Sequence, residues 1–350
     1  MLRFMLNKRS FLFFLFVWMP FFAFSYQLGT LDVPYQCIPV KIEDNIKFVA
    51  ANEYQTFIIR EDNSLWLSGN TVYDLNTNFL QKGFVKIFDD VKELSVYNQN
   101  VMILKNDSTL WCMGNIPKEI NSNILKTKYV SKPIYITENV KKICAGNSCF
   151  IYITKDNCSY FFGELFDSKS LNPKFLKKDV TEISVTAFSM QILTEKKELY
   201  TTSDGKNYKL IAENVKKTSG NFFINEKNEL YAFGNIKTGS LGTIIDNENH
   251  PKLVMENVKD VSFNYWHSLI LRENGALFSC GGKFSDKQMN AYSYMGFIGD
   301  GSGEPQLSPV EIAEDVIFCS VSDFTSFFIK KDGSLWGCGL NNYDESILFL

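Results

Sequence analysis

The stretch EDNIKFVAANEYQTFIIREDNSLWLSG, residues 43–69, decides the fold, because its layout recurs along the chain. Two apolar segments, NIKFVA and TFIIR, are separated by a short polar break, and the polar turn EDNS then leads into the aromatic segment LWLSG. Short apolar segments bounded by Asn, Asp and Gly are typical of β-strands joined by tight turns. The stretch therefore predicts three consecutive short strands.

The same layout occurs seven times along the chain, and the stretch above is its first copy. Each copy starts with Asp or Asn followed by an anchor residue, and the anchors are Ile46, Val91, Val140, Val180, Val215, Val258 and Val316. An aromatic residue lies 20 positions after six of these anchors and 16 after Val215, at Trp66, Trp111, Tyr160, Tyr200, Tyr231, Phe278 and Trp336. A fixed register of this kind indicates an internal repeat.

A fourth strand is predicted before each anchor, often opened by proline, as at Pro133 and Pro309. Six copies carry Gly three positions after the aromatic residue, where a small residue permits a tight strand exit. Four strands in each of seven units predict an all-β fold, a seven-bladed β-propeller of four-stranded blades, over residues 26–350.

Three segments resemble repeats of the regulator-of-chromosome-condensation family: KDGSLWGCGLNN at residues 331–342, GFIGDGSGEPQLSPVEI at 296–312 and TGSLG at 238–242. Tyr26–Gly29 and Asn341–Tyr343 also resemble repeat starts, which implies that the two termini meet to close the ring. The founding member of the family is an exchange factor for a nuclear GTPase, and exported members inhibit β-lactamases through aromatic-rich loops. The resemblance implies the fold, whereas function has to be argued from a site.

The first 25 residues have the pattern of a signal peptide. Arg3, Lys8 and Arg9 precede the apolar run Phe11–Phe24, and Ala23–Ser25 has the form of a cleavage site. The run is shorter than the ~20 residues that span a membrane, so we expect cleavage after Ser25, no membrane insertion afterwards and a secreted or periplasmic protein. An uncleaved anchor is the alternative.

Composition excludes some functions. Loss of residues 1–25 would leave 33 Lys and Arg against 39 Asp and Glu, a net charge of −6, which opposes binding to nucleic acid. The chain has two histidines, and no catalytic or phosphate-binding motif is present, so we predict no enzyme, no cofactor and no metal site. His267 occupies a repeat position and is predicted to be structural.

The cysteines allow two outcomes in an exported chain. Cys144, Cys149 and Cys158 fall in one repeat, where a local disulfide is an open alternative. Cys319 falls at a position that is apolar in the other repeats, so we predict a buried free thiol.

The candidate binding surface is the set of loops that follow each first strand. Aromatic residues gather there, and a polar insertion at residues 283–294 adds two more, so the predicted partner-binding residues are Tyr54, Tyr97, Phe188, Tyr265, Trp266, Phe324, Tyr292 and Tyr294. Such aromatic residues either bind a partner or cap the cores of their own blades.

The first hypothesis is an exported, monomeric propeller that binds a protein partner. The alternatives are an extracellular enzyme acting on polysaccharide through Asp300, Glu304 and Asp323, and a structural cell-surface repeat protein.

Overall fold

The computed structural model describes residues 35–52, 55–70, 80–121, 124–245, 250–283 and 296–340. These residues form 28 β-strands in seven antiparallel four-stranded sheets, and this part of the chain contains no α-helix. The prediction of an all-β, seven-bladed propeller is therefore confirmed. The predicted signal peptide, residues 1–25, lies outside the described residues.

Four consecutive strands make up each of the first six blades. The first three blades comprise β2 Ile46–Ala51, β3 Gln55–Arg60, β4 Leu65–Asn70 and β5 Leu80–Phe88; β6 Val91–Tyr97, β7 Asn100–Lys105, β8 Leu110–Asn121 and β9 Ile124–Thr137; and β10 Val140–Ala145, β11 Cys149–Thr154, β12 Ser159–Leu165 and β13 Ser168–Lys177. The next three comprise β14 Val180–Val185, β15 Met190–Thr194, β16 Leu199–Thr202 and β17 Lys209–Ala212; β18 Val215–Ser219, β19 Phe222–Asn225, β20 Leu230–Ala232 and β21 Lys252–Met255; and β22 Val258–Phe263, β23 His267–Arg272, β24 Leu277–Gly281 and β25 Gln306–Ala313.

The seventh blade closes the ring with strands from both ends of the described chain. It contains β26 Val316–Val321, β27 Thr325–Lys330, β28 Leu335–Leu340 and the first strand, β1 Tyr35–Glu43. Strand β1 runs antiparallel to β28, with Gln36 opposite Gly339. This pairing agrees with the expected meeting of the termini, although residues 26–29 and 341–343 lie outside the described residues.

The residue before each anchor has a backbone conformation that explains the repeated Asp or Asn. All seven such residues have positive φ, between 57° and 63°, and they are Asn45, Asp90, Asn139, Asp179, Asn214, Asn257 and Asp315. Asn and Asp tolerate this left-handed conformation better than other residues that carry a side chain. The repeat therefore keeps these two residue types at the reversal that starts each blade.

Backbone hydrogen bonds join each blade to the next at the same place. The Val91 N–H donates to the Asn63 carbonyl oxygen in the preceding blade at 2.9 Å, and the Ile46 N–H donates to Gly333 in the seventh blade at 2.9 Å. Equivalent bonds link the five other junctions. Each acceptor residue has positive φ, so the turn chemistry of one blade positions the start of its neighbour.

The core lies between the sheets. The second strand of a blade is buried on both faces, as in β3, where the side chains of Phe57, Ile58 and Ile59 are all inaccessible. Phe57 packs with Val91 and Ile103 of the next blade, and Ile58 packs with Phe327 of the seventh. Because every blade is covered by two neighbours, its middle strand is an apolar run without alternation.

Prolines do not open the fourth strands, which corrects the prediction. Pro133, Pro173 and Pro309 lie inside β9, β13 and β25, each where the register with the third strand shifts. These strands form the outer edge of their blades, and at a bulge on an edge the missing N–H breaks no ladder bond. Only Pro251 immediately precedes its strand.

All eight cysteines are free thiols. Cys319 is buried, as predicted, and Cys144, Cys149 and Cys158 form no local disulfide. Burial raises the pKa of the Cys144 and Cys149 thiols to about 12.

Candidate functional site

The first strands of all seven blades contact one another around the central axis, so the loops that follow them meet at one mouth of the central channel. These loops enclose a cavity of about 190 Å³. Its lining includes Tyr97 from the second blade, Phe188 from the fourth, Tyr265 from the sixth and Asp323 from the seventh. The predicted loop surface is therefore a concave site, which we call the channel mouth.

Phe188 and Tyr265 form the most exposed aromatic pair of the channel mouth. Phe188 is 73% exposed and Tyr265 is 43% exposed. Their ring centroids lie 6.3 Å apart in an edge-to-face arrangement. Tyr97 is more enclosed, and burial, aided by the negative charge of Asp323, raises the pKa of its hydroxyl.

The short fifth blade brings Phe188 and Tyr265 together. Between β18 and β19 the chain turns through Gly220 and Asn221, so the fifth blade lacks the longer loop of its neighbours. Aromatic residues from the fourth and sixth blades therefore touch across it. The deletion that shortens this repeat thus shapes the channel mouth.

Side-chain hydrogen bonds hold the aromatic loops in place. The Asn264 Oδ1 accepts the Trp266 N–H at 2.8 Å, and the Thr186 Oγ1 accepts the Phe188 and Ser189 N–H groups at 3.3 and 3.1 Å. Asn and Thr commonly fold a turn in this way. These hydrogen bonds fix the backbone of the loops that carry Phe188, Tyr265 and Trp266.

The segments that resemble the known repeat family support these loops. The Thr238 hydroxyl donates to the Tyr265 carbonyl oxygen at 2.6 Å, and the Ser326 hydroxyl donates to the Phe297 carbonyl oxygen at 2.6 Å. The TGSLG segment, residues 238–242, therefore supports the loop of the sixth blade. The GFIG segment, residues 296–299, contacts the seventh blade. This supporting role was not predicted from the sequence of the two segments.

Trp266 and Phe324 have different surroundings from Phe188. Both are half-buried against a small apolar cluster formed by Phe297 and Ile298. The ring centroids of Trp266 and Phe324 lie 6.0 Å apart, and those of Phe297 and Phe324 lie 6.1 Å apart. The predicted aromatic set is thus divided between the mouth and this cluster. Tyr54, Tyr292 and Tyr294 lie outside the described residues.

In four blades the glycine three positions after the aromatic strand residue makes room for these loops. Gly114 has φ of 96°, and a Cβ added there would overlap the Gln99 carbonyl oxygen. Gly163, Gly281 and Gly339 meet the carbonyl oxygens of Ser148, Trp266 and Phe324 in the same way. The loop backbone therefore packs directly onto the third strand. These glycines were predicted to permit a tight strand exit, and in the structure they also allow this close contact between the loop and the strand.

Asparagine, serine and threonine side chains form most of the polar lining of the channel mouth. The Asn264 Nδ2 donates to the Asp323 Oδ1 at 2.8 Å, and the Asn98 Nδ2 donates to the Asn147 Oδ1 at 2.6 Å. Asn52 and Asn221 also line the cavity. Among the described lining residues, Asp323 is the only charged one.

Below the mouth lies a second chamber of about 270 Å³, which shares Ser184, Val185 and Ser219 with it. Its charged residues sit two positions after the anchors, where successive blades carry Phe48, Glu93, Lys142, Glu182, Lys217, Asp260 and Phe318. Charges of opposite sign thus alternate over five blades. In the other two blades the residues at this position are Phe48 and Phe318, whose ring centroids lie 4.7 Å apart.

Two ion pairs organise this charged ring. Lys217 Nζ lies 2.6 Å from Asp260 Oδ1, and Lys142 Nζ lies 4.0 Å from Glu182 Oε1. Burial opposes the charge of Lys217, but Asp260 outweighs that effect and raises the lysine pKa. Burial also raises the pKa of Glu93 and Glu182. The ring was not predicted, although the residues that form it share one position relative to the seven anchors.

Of the three carboxylates proposed for an enzyme, only Asp323 lines the channel mouth. Asp300 accepts hydrogen bonds from Ser302 and Gln306 within its own loop, while Asp323 lies at the mouth beside Asn264. Glu304 is not among the residues that line the mouth. Within the described residues, no group of three metal-ligating side chains was found.

His267 is a core residue. It is fully buried, its Nε2 lies 2.9 Å from the Ser326 hydroxyl, and its ring packs against Phe297 at 4.6 Å. Burial lowers its pKa to about 3, so the ring is neutral. No hydrogen bond to Nδ1 was found among the described residues. The other histidine, His250, is exposed.

A search of the described part of the chain finds no helix with the length and apolar character needed to cross a membrane.

Residues 258–284 match the family model of the Regulator of chromosome condensation (RCC1) repeat. The matched segment holds the first three strands of the sixth blade and the Tyr265 loop. No curated protein sequence matches the chain.

Solved structures share the fold at low sequence identity. Prp20p from Saccharomyces cerevisiae is similar with a TM-score of 0.64 and 15% identity, over 84% of this chain and 82% of that one. Human WBSCR16 is similar with a TM-score of 0.66 and 12% identity, over 87% and 89% of the two chains. The family resemblance predicted from sequence is confirmed: the chain is a seven-bladed propeller that carries a repeat of the regulator-of-chromosome-condensation family.

Proposed function

We propose that this chain is an exported, non-enzymatic propeller that binds a protein partner at the channel mouth. The observation that carries the proposal is the exposed pair Phe188 and Tyr265 at the rim of a concave site. Aromatic side chains dominate the binding energy of many protein interfaces, especially where they surround a pocket. Tyr97 and Asp323 extend the same surface into the cavity.

The construction of the mouth supports binding rather than core packing for this pair. Backbone N–H groups donate hydrogen bonds to Thr186 Oγ1 and Asn264 Oδ1 and so fix the loop backbones, and the exposed rings are presented without being packed into a blade. A rigid presentation reduces the entropy lost when a partner is ordered against the surface. Trp266 and Phe324, in contrast, already contribute to a folded cluster.

Structural relatives provide a precedent for binding by this fold. The Prp20p structure was described together with its binding to Gsp1p and histones, and Kap60 has been seen bound to the same yeast protein. At 15% identity these partners do not transfer to this chain. They support only the general role of the propeller as a binding platform.

Export is the second part of the proposal and rests on the sequence of residues 1–25. We expect the purified extracellular or periplasmic protein to begin at Tyr26. N-terminal sequencing of the protein from its native compartment tests this, and a retained Met1 would contradict cleavage.

Affinity capture with paired variants tests the binding surface. Phe188→Ala combined with Tyr265→Ala should remove a specific partner from material captured in the extracellular fraction. The matched control is Tyr135→Ala with Phe175→Ala, because each of these aromatic residues is 51% exposed on an outer strand away from the mouth. Equal capture by wild type and the mouth variant, quantified by mass spectrometry, would contradict the proposal.

A further inference from the structure

The charges around the central channel are unbalanced in favour of negative charge. Glu93, Glu182 and Asp323 line the two chambers, against Lys142 and Lys217. Lys217 is already paired with Asp260, a fourth carboxylate that does not line either chamber. A net excess of one charge in a cleft raises the local concentration of ions of the opposite charge. The channel therefore favours a cation.

The channel mouth supplies two kinds of group that recognise a cation. Asp323 Oδ1 accepts a hydrogen bond from Asn264, and no hydrogen bond to its Oδ2 was found among the described residues. Tyr97, Phe188 and Tyr265 line the same cavity. Aromatic faces attract ammonium and guanidinium groups, and a carboxylate forms charge-assisted hydrogen bonds with them.

The size of the site indicates a single side chain rather than a broad basic surface. The mouth encloses about 190 Å³ and adjoins the second chamber, with which it shares Ser184, Val185 and Ser219. Lys142 and Lys217 line that second chamber and would repel a second positive group there. One protruding basic residue matches both the shape and the charge.

We propose that the channel mouth receives one arginine or lysine side chain from a protruding loop of the partner protein, held between Asp323 and the Tyr97, Phe188 and Tyr265 rings. This inference rests on the proposed protein-binding function and specifies the chemistry of the partner. Phe188 and Tyr265 provide the apolar contact, and Asp323 provides the selectivity for positive charge.

Capped pentapeptides test this directly. The probes are acetylated and amidated Gly-Gly-X-Gly-Gly peptides, where X is arginine, citrulline or glutamate, titrated into the purified protein and followed by the amide NMR signals of Phe188 and Tyr265. We expect the arginine peptide to bind and its neutral isostere, the citrulline peptide, to bind about tenfold or more weakly. The glutamate peptide should not bind.

Matched variants separate the roles of charge and position. Asp323→Asn keeps the shape and the Asn264 bond, and it should weaken the arginine peptide about tenfold or more. Glu304→Gln removes the same charge from an exposed loop outside the mouth, and it should leave binding unchanged.

Three results would overturn the inference: equal binding of the arginine and citrulline peptides, no effect of Asp323→Asn, or no arginine binding at millimolar concentration. Binding of an N-acetylglucosamine trimer at the same signals in place of the arginine peptide would assign the mouth to a sugar and also overturn it. If the aromatic variant loses the native partner while Asp323→Asn retains it, the proposed function stands and this inference fails.

Discussion

Replacement of Gly114 by alanine probes the contact that holds the Tyr97 loop against its blade. Gly114 has φ of 96°, and an added Cβ would overlap the carbonyl oxygen of Gln99, two residues after Tyr97. Gly83 offers a matched control, because it has φ of 79° and no atom lies within 4 Å of the position where its Cβ would be. The first substitution combines backbone strain with a steric clash, whereas the second introduces strain alone.

The two effects differ in size. An alanine at positive φ costs about 1–2 kcal/mol, and the stiffer unfolded chain returns roughly 0.4–1 kcal/mol of that. Gly83→Ala should therefore lower the free energy of unfolding by about 1 kcal/mol. Displacement of a packed loop adds about 1–3 kcal/mol, so Gly114→Ala should lower it by about 2–4 kcal/mol.

Urea unfolding followed by tryptophan fluorescence measures both free energies. Gly114→Ala should also weaken partner capture, because the Gln99 carbonyl cannot move without shifting the loop that carries Tyr97. Gly83→Ala, on an outer strand, should leave capture intact. Equal destabilisation by the two substitutions would refute the steric reasoning.

Three further predictions follow from backbone conformation and burial. Asn139→Ala should lower the free energy of unfolding by about 1 kcal/mol because φ is 62° at this position, and Asn139→Gly should recover most of it in the same urea assay; equal losses would contradict this. Burial raises the pKa of Cys149 and Cys280 to about 12, so peptide mapping at pH 8 should show alkylation by iodoacetamide only after unfolding. His267 has a folded pKa of about 3, below its unfolded value, so its contribution to stability is complete above about pH 6.5 and falls by up to about 1.4 kcal/mol per pH unit on acidification. His267→Gln should remove that part of the slope between pH 7 and pH 5, and parallel slopes for the two proteins would argue against it.

Much of the fold could be predicted because its determinants are local. The Asp or Asn before each anchor adopts a left-handed turn with its own backbone, and the anchor is then buried at the start of a strand. When this unit is repeated seven times, a closed ring is the arrangement that covers the apolar faces of all seven sheets. The prolines were wrongly predicted to start the fourth strands because proline is tolerated both at the start of a strand and at a bulge inside an edge strand.

The candidate site was predictable only in part. Loop position identified Phe188 and Tyr265, but the sequence did not distinguish them from Trp266 and Phe324, which pack against the Phe297 segment. That contact joins residues far apart in the chain. The distinction depends on which neighbour each loop meets.

The sequence by itself determined the repeat, the number of blades and the turn chemistry, because each of these depends on residues a few positions apart. Tertiary structure alone decided which aromatic rings remain exposed and how the charged residues of five blades gather around one axis. Closure of the ring brings together residues that are separated by dozens of positions, and no local pattern records which of them become neighbours. The proposed partner-binding site of this propeller is therefore a property of its closed ring.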